Sequence, residues 1–190
     1  METDLKNYVK VYKLLTKDQC DLVLDELKSV PFERHQFKHY DGSLQASDMD
    51  PKFYTSDKGH LTKETYTTIM ESYWKCLAEY LQKDLDLDWY KGWNGYTPPK
   101  FNWYSSNTEM KNHCDHIWDI FTGDIRGIPI ISMIALINDN FNGGEFVMFD
   151  TETYKLKKGE VIIFPSVFLF PHKVNPVTNG ERISMVSWVF

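Results

Sequence analysis

Asn112-His113-Cys114-Asp115-His116 is the stretch from which fold and chemistry are read. His113 and Asp115 form an H-x-D pair. On a β-strand, side chains two residues apart project from the same face. One imidazole and one carboxylate then face the same small volume. A second histidine from a neighbouring strand would complete a two-histidine, one-carboxylate set. That set leaves open coordination positions and suits non-haem Fe(II) binding a co-substrate and O2. An H-x-D pair recurs by chance, so its surroundings decide.

Three features join the pair. His172 falls on an expected strand near a hairpin, and Arg182 lies on the strand leaving that hairpin. Tyr104 precedes His113. An iron site using a dicarboxylate co-substrate needs a cation for the distal carboxylate, and arginine makes bidentate carboxylate pairs. A tyrosine hydroxyl can donate to the same group. Ser184 shares the strand face of Arg182 and can add a donor.

Around this constellation the chain reads as short strands. Lys100–Ser105 precedes the H-x-D segment, and residues 118–128 read as a loop with two glycines. Ile130–Asn138 is a nearly continuous apolar run, as in a strand buried on both faces. Asp139–Gly144 reads as a turn, Glu145–Phe149 as a strand. Strands follow at Glu160–Phe164, Phe170–Val174 and Glu181–Phe190, with a turn at Asn175–Gly180. Some seven strands joined by turn chemistry predict a sandwich or jelly-roll barrel.

Upstream, residues 7–14 alternate as a strand. Thr16 with Gln19 fits a capping box opening a helix to about Val30, ahead of Pro31. Residues 33–60 are polar and irregular and read as a loop. Thr62 opens the longest helix, to about Leu85, with Tyr66, Ile69, Tyr73, Leu77 and Leu81 as a core stripe. The expectation is one domain over 1–190: helical support and substrate-side loops over 1–95, and a jelly-roll core over 96–190.

Composition narrows the function. The 190 residues carry 42% hydrophobic, 25% charged and 15% aromatic residues, ordinary for a globular domain apart from the aromatics. The net charge of −6 and the lack of a basic cluster argue against nucleic acid as partner. No apolar run reaches membrane-spanning length and the first residues lack a signal-peptide pattern. Cys20, Cys76 and Cys114 form no C-x-x-C, so a disulfide framework is not expected and a cytoplasmic setting is.

From about Lys100 onward the sequence resembles the Fe(II)- and 2-oxoglutarate-dependent dioxygenases, in their prolyl 4-hydroxylase-like branch. Tyr104 to Asp115 is similar to the family's Tyr-x-x-Gly-x-x-aromatic-x-x-His-x-Asp run. Asn107 replaces the usual glycine, a small change because Asn tolerates the left-handed conformation. Asn138-Asp-Asn-Phe-Asn-Gly-Gly-Glu-Phe146, Gly159-Glu-Val-Ile-Ile-Phe-Pro165 and His172-Lys-Val-x-Pro-Val-x-x-Gly-x-Arg182 resemble three further motifs.

The resemblance implies an α+β chain with a mainly β core, a double-stranded β-helix (jelly-roll, cupin-like) with N-terminal helices. It implies Fe(II) on His113, Asp115 and His172, with Arg182, Tyr104 and Ser184 holding 2-oxoglutarate, and ascorbate as an optional addition. The expected reaction is hydroxylation of a peptidyl residue, proline first, by O2 with succinate and CO2 as co-products. The expected partner is a peptide or protein, proline-containing by resemblance. A free amino acid or other small metabolite is the alternative substrate, and a non-catalytic jelly-roll binding module the alternative of another class.

Other residues take plainer readings. Cys114 is expected in the core. His35, His39 and His60 read as surface histidines, and His116 as lying outside the metal set. Trp188 walls the co-substrate pocket or packs in the core. Glu145 reads as a strand-edge residue, and Arg126 sits in a loop that can meet substrate.

Overall fold

The computed structural model describes residues 4–38, 43–45, 47, 49–56, 59–117 and 127–190. A 3-10 turn at Leu5–Tyr8 leads into β1 (Lys10–Lys13) and then α1 (Lys17–Leu27). Thr16 caps α1 through the expected capping box: its hydroxyl accepts from Gln19 N, and the Gln19 side chain accepts from Thr16 N. The helix ends at Leu27, earlier than the sequence predicts. Four short strands follow: β2 (Glu33–Arg34), β3 (Phe37–Lys38), β4 (Leu44–Gln45) and β5 (Lys52–Thr55).

Thr62 caps α2 (Lys63–Ala78), which continues as a π-helical turn over Glu79–Asp84. Glu26 of α1 accepts hydrogen bonds from Thr62 N, Thr62 Oγ1 and Thr65 Oγ1 at 2.6–2.9 Å, tying the end of α1 to the start of α2. The remaining strands are β6 (Lys100–Tyr104), β7 (Met110–His113), β8 (Ile131–Leu136), β9 (Phe141–Gly143) and β10 (Phe146–Met148). After these come β11 (Glu152–Tyr154), β12 (Glu160–Pro165), β13 (His172–Val174), β14 (Val177–Gly180) and β15 (Arg182–Val189).

A seven-stranded sheet runs β1-β12-β8-β15-β6-β5-β2 and faces a four-stranded sheet β11-β10-β13-β7. All strand pairs are antiparallel. This is the expected mainly β double-stranded β-helix, a jelly roll with N-terminal helices.

The period-2 alternation of the strands sorts the core into two layers. Phe101, Ile131, Met133, Ala135, Met185 and Val189 pack with Ile69, Tyr73 and Leu77 of α2 on the helix side. Tyr104, Ile134, Val186 and Trp188 face inward against Phe146, Phe164 and Phe170. Each fully buried side chain of this size contributes about 1.5–3 kcal/mol by leaving water. The helix tyrosines keep their hydroxyls satisfied: Tyr73 donates to Met185 O and Tyr80 to Tyr8 O.

β8 is buried on every residue, as its apolar run predicts. Three readings change. The 33–60 stretch is not a plain loop, because β5 pairs with β6 and β2 with β5, extending the major sheet. These strands are too short to show a period. The expected turns at Asp139–Gly144 and Asn175–Gly180 instead contain β9 and β14, which pair with each other. β11 carried no sequence signal. Asn107 does take a left-handed φ of 66°.

Gly159 docks the N-terminal segment. Its carbonyl accepts from Leu14 N and Leu15 N. A Cβ there would sit 2.2 Å from Leu15 O, at a φ of +85° that disfavours any other residue.

Candidate active site

β7 and β13 pair so that His113 lies directly opposite His172. The two imidazoles come to 4.4 Å between ring centroids. β7 ends at His113, so Asp115 lies in the bend after the strand rather than on it. Asp115 still turns into the same space: His113 Nε2 is 3.5 Å from Oδ1 and His172 Nε2 is 3.7 Å from Oδ2. The three offer ligand atoms within 4.8 Å of one another and can hold a metal ion.

The hydrogen bonds around the triad fix which atoms face inward. His113 Nδ1 lies 2.7 Å from Lys111 O, and His172 Nδ1 lies 3.2 Å from Phe170 O. Nδ1–H donation to these carbonyls leaves both Nε2 lone pairs for a ligand. Asp115 Oδ2 accepts from Ser132 Oγ at 2.7 Å and Trp188 Nε1 at 3.0 Å. Oδ1 faces His113 Nε2 instead.

Burial alone would raise the Asp115 pKa. The charges of His172 and His113 and the bond from Ser132 outweigh it and hold the carboxyl well below its usual range. Burial pushes His172 down to about 4, so it is neutral at neutral pH. Burial pushes His113 the same way, but its bond to Asp115 raises it.

Arg182, Tyr104 and Ser184 meet at one end of the same interior. Arg182 and Tyr104 are register partners across β15 and β6. The guanidinium lies 5.0 Å from the Tyr104 ring centroid. Ser184 alternates with Arg182 on the same face of β15, and all three side chains are buried. Arg182 is 2% exposed, and its Nε and Nη1 have no hydrogen bond partner among the described residues. A buried charge without a partner costs several kcal/mol, so this end of the site is built for an anion.

Two residues of the Asn138–Phe146 motif position this arginine. The Asn138 amide donates to Glu181 O at 2.6 Å, and its oxygen accepts from Ile183 N at 2.8 Å. It thus grips the backbone on both sides of Arg182. Gly144 leaves the space that the arginine stem fills: a Cβ there would meet Arg182 Cδ at 2.9 Å.

At the other end of β6, Lys100 shares the inward face. Its Nζ lies 4.6 Å from the Phe53 ring centroid and 5.9 Å from that of Trp188. Burial pushes the ammonium down to about 8, opposed by the charge of Asp115. His35 packs its ring on Phe53 at 5.9 Å. Burial first, then the charges of Lys100 and His113, lower His35 to about 3.

All six expected site residues therefore face one interior. His60 and His116 stay outside the triad; His116 Nδ1 lies 3.1 Å from Pro129 O. Cys114 is half-buried rather than in the core. Glu145 is an exposed edge residue, as expected. His39 and Arg126 lie outside the described residues. Trp188 does line the interior, and its bond to Asp115 was not foreseen. Ser132, Lys100, Phe53 and His35 were missed. Only the inward parity of Ser132 and Lys100, two and four residues from other inward positions, could have pointed to them.

Residues 99–190 match the family described as the 2OG-Fe(II) oxygenase superfamily. A PKHD-type hydroxylase from Stenotrophomonas maltophilia is 33% identical over 99 residues, 50% of this chain and 43% of the relative. The chain thus spans less than half the length of that curated relative. Two solved structures share the fold. A prolyl hydroxylase from Trichoplax adhaerens, in complex with a hypoxia inducible factor peptide fragment, aligns with a TM-score of 0.71 and 16% identity, covering 97% of this chain and 84% of that one. The collagen prolyl hydroxylase of Paramecium Bursaria Chlorella virus-1, as a 2OG complex, aligns at 0.66 and 15%, covering 96% and 94%.

The residues fit both groups that the family name implies. Two imidazoles with Nε2 turned inward and a carboxylate suit Fe(II). Arg182, over the Tyr104 ring and with Nε and Nη1 unbonded among the described residues, suits the distal carboxylate of 2-oxoglutarate. No helix among the described residues is long and apolar enough to cross a membrane.

Proposed function

We propose that this chain is an Fe(II)- and 2-oxoglutarate-dependent hydroxylase acting on a peptidyl residue, with proline as the leading target. The observation that carries the reading is the buried Arg182 guanidinium, whose Nε and Nη1 find no hydrogen bond partner among the described residues, in the same interior as the His113–Asp115–His172 set. The likeness to prolyl hydroxylases supports proline and a peptide substrate.

Each residue then has a task. His113 and His172 present Nε2 to the metal, and Asp115 presents Oδ1 while Ser132 and Trp188 hold its other oxygen. Arg182 pairs with the distal carboxylate of 2-oxoglutarate. Tyr104 donates to the same carboxylate, and Ser184, on the strand face of Arg182, adds a further donor. Ile134, Val174 and Val186 keep water from the interior. When bound, Fe(II) with 2-oxoglutarate supplies the O2 chemistry of hydroxylation, with succinate and CO2 as co-products.

Anaerobic titration with Fe(II) and 2-oxoglutarate tests this. A weak visible charge-transfer band is expected with the wild type and absent in His172→Ala. No band, and no succinate under O2, would remove the reading and leave the barrel a binding module.

A further inference from the structure

Lys100 is a cation that the proposed reaction leaves without a task. It stands on the inward face of β6 with Tyr104, four residues away and about 13 Å along the strand. Arg182 is opposite Tyr104 and Val186 opposite Lys100. The two cations therefore sit at opposite ends of the interior. Arg182 is taken by the distal carboxylate of the co-substrate, and Lys100 stands at the other end.

The surroundings of Lys100 hold a charge without neutralising it. The ammonium is half-buried over the faces of Phe53 and Trp188, where the ring quadrupoles favour a cation and replace part of its hydration. No described carboxylate forms an ion pair with it. Asp115 is the acid whose field it feels, and the Asp115 oxygens face Ser132, Trp188 and the two imidazoles. The chain as a whole carries −6, so its overall field does not draw anions in. A local cation is what an anionic substrate needs here.

Resting on the function proposed above, we infer that Lys100 is a specificity residue that binds a carboxylate of the primary substrate, close to the carbon to be hydroxylated. The carboxylate has two sources: an acidic side chain next to the target residue of a peptide, or the α-carboxylate of a free amino acid. Phe53 and Trp188 position the ammonium, and His35, stacked on Phe53, closes the same wall.

Matched pairs differing only in charge test this: acetyl-Asp-Pro-amide against acetyl-Asn-Pro-amide, and L-proline against L-prolinamide. Binding is measured calorimetrically to the protein loaded with redox-inactive Mn(II), with and without 2-oxoglutarate. In at least one pair the carboxylate member should bind tenfold or more tightly, and that pair names the source. Lys100→Met should cut the ratio below twofold, and Lys100→Arg should keep most of it. Affinities for Mn(II) and 2-oxoglutarate should be unchanged in both variants. No preference in either pair, or a preference that survives in Lys100→Met, overturns the inference. Failure of the wild type to bind 2-oxoglutarate instead counts against the proposed function, while the pairs still report on Lys100 with Mn(II) alone.

Discussion

Trp188 Nε1 donates a 3.0 Å hydrogen bond to Asp115 Oδ2, joining the last strand of the major sheet to the carboxylate of the triad. Ser132, the register partner of Trp188 on β8, donates to the same oxygen. Two neighbouring strands thus hold one carboxylate in a single orientation, although it sits in a bend that has no ladder of its own.

Trp188→Phe keeps the ring and removes the donor. Loss of such a supporting bond weakens metal affinity by about 10–100-fold. We expect a loss in that range in an anaerobic Fe(II) titration, with 2-oxoglutarate affinity at saturating metal less affected. An unchanged Fe(II) affinity would show that Ser132 alone fixes Asp115.

Arg182 gives opposite signs for stability and binding. Charge-assisted hydrogen bonds are worth about 1.5–3 kcal/mol, so Arg182→Met should weaken 2-oxoglutarate at least tenfold and leave Fe(II) nearly untouched. The same change removes a buried, unpaired charge from the ligand-free protein, so its Tm should rise. 2-Oxoglutarate should raise the Tm of the wild type only. Equal loss of Fe(II) and 2-oxoglutarate affinity would contradict the role given to Arg182.

Asn138 should act on the co-substrate without touching it. Asn138→Ala leaves Glu181 O and Ile183 N without their side-chain partner, a cost of about 1–3 kcal/mol. The arginine between them loses its fixed aim. We expect lower stability in urea and a rise in the KM for 2-oxoglutarate, with kcat at saturation largely kept.

The metal-free protein should lose stability on mild acidification. His35 and His172 have folded pKa values of about 3 and about 4, below the ordinary histidine value of 6.5. Between pH 6.5 and 4 the unfolded chain binds more protons at these two sites than the folded one. Stability therefore falls as the pH drops through that window. His113, whose pKa is raised, works the other way: its contribution is present at low pH and fades as the pH rises through its folded value. Two depressed histidines against one raised give a net fall, to be read as a declining urea midpoint. His35→Gln should flatten the decline.

What was legible in the sequence was what depends on spacing. His113, Asp115, His172 and Arg182 sit in motifs whose residues are close in the chain, and β8 announced itself by an unbroken apolar run. Ser132 was invisible because its role comes from pairing between β8 and β15, which no local pattern encodes. Lys100 was invisible because one lysine at a strand start ordinarily faces solvent, and only β5 and Trp188 enclose it. β2 to β5 have two to four residues each, too few for alternation to appear. β9 and β14 are built from Asn and Gly residues that also make turns, so turn chemistry hid a strand pair.

β15 lies between β8 and β6, held in register on both edges. Arg182, Ser184, Val186 and Trp188 alternate along its inward face. A shift of one residue would send all four toward the helices at once. The strand therefore tolerates exchange of side chains but not a change in their number. Loss or gain of a single residue between Arg182 and Trp188 would disconnect the two ends of the site. The same change in the loop at 155–157, outside any strand, would leave every strand register intact. Length variation among sequences of this type should stop at the borders of β15, however freely they differ elsewhere.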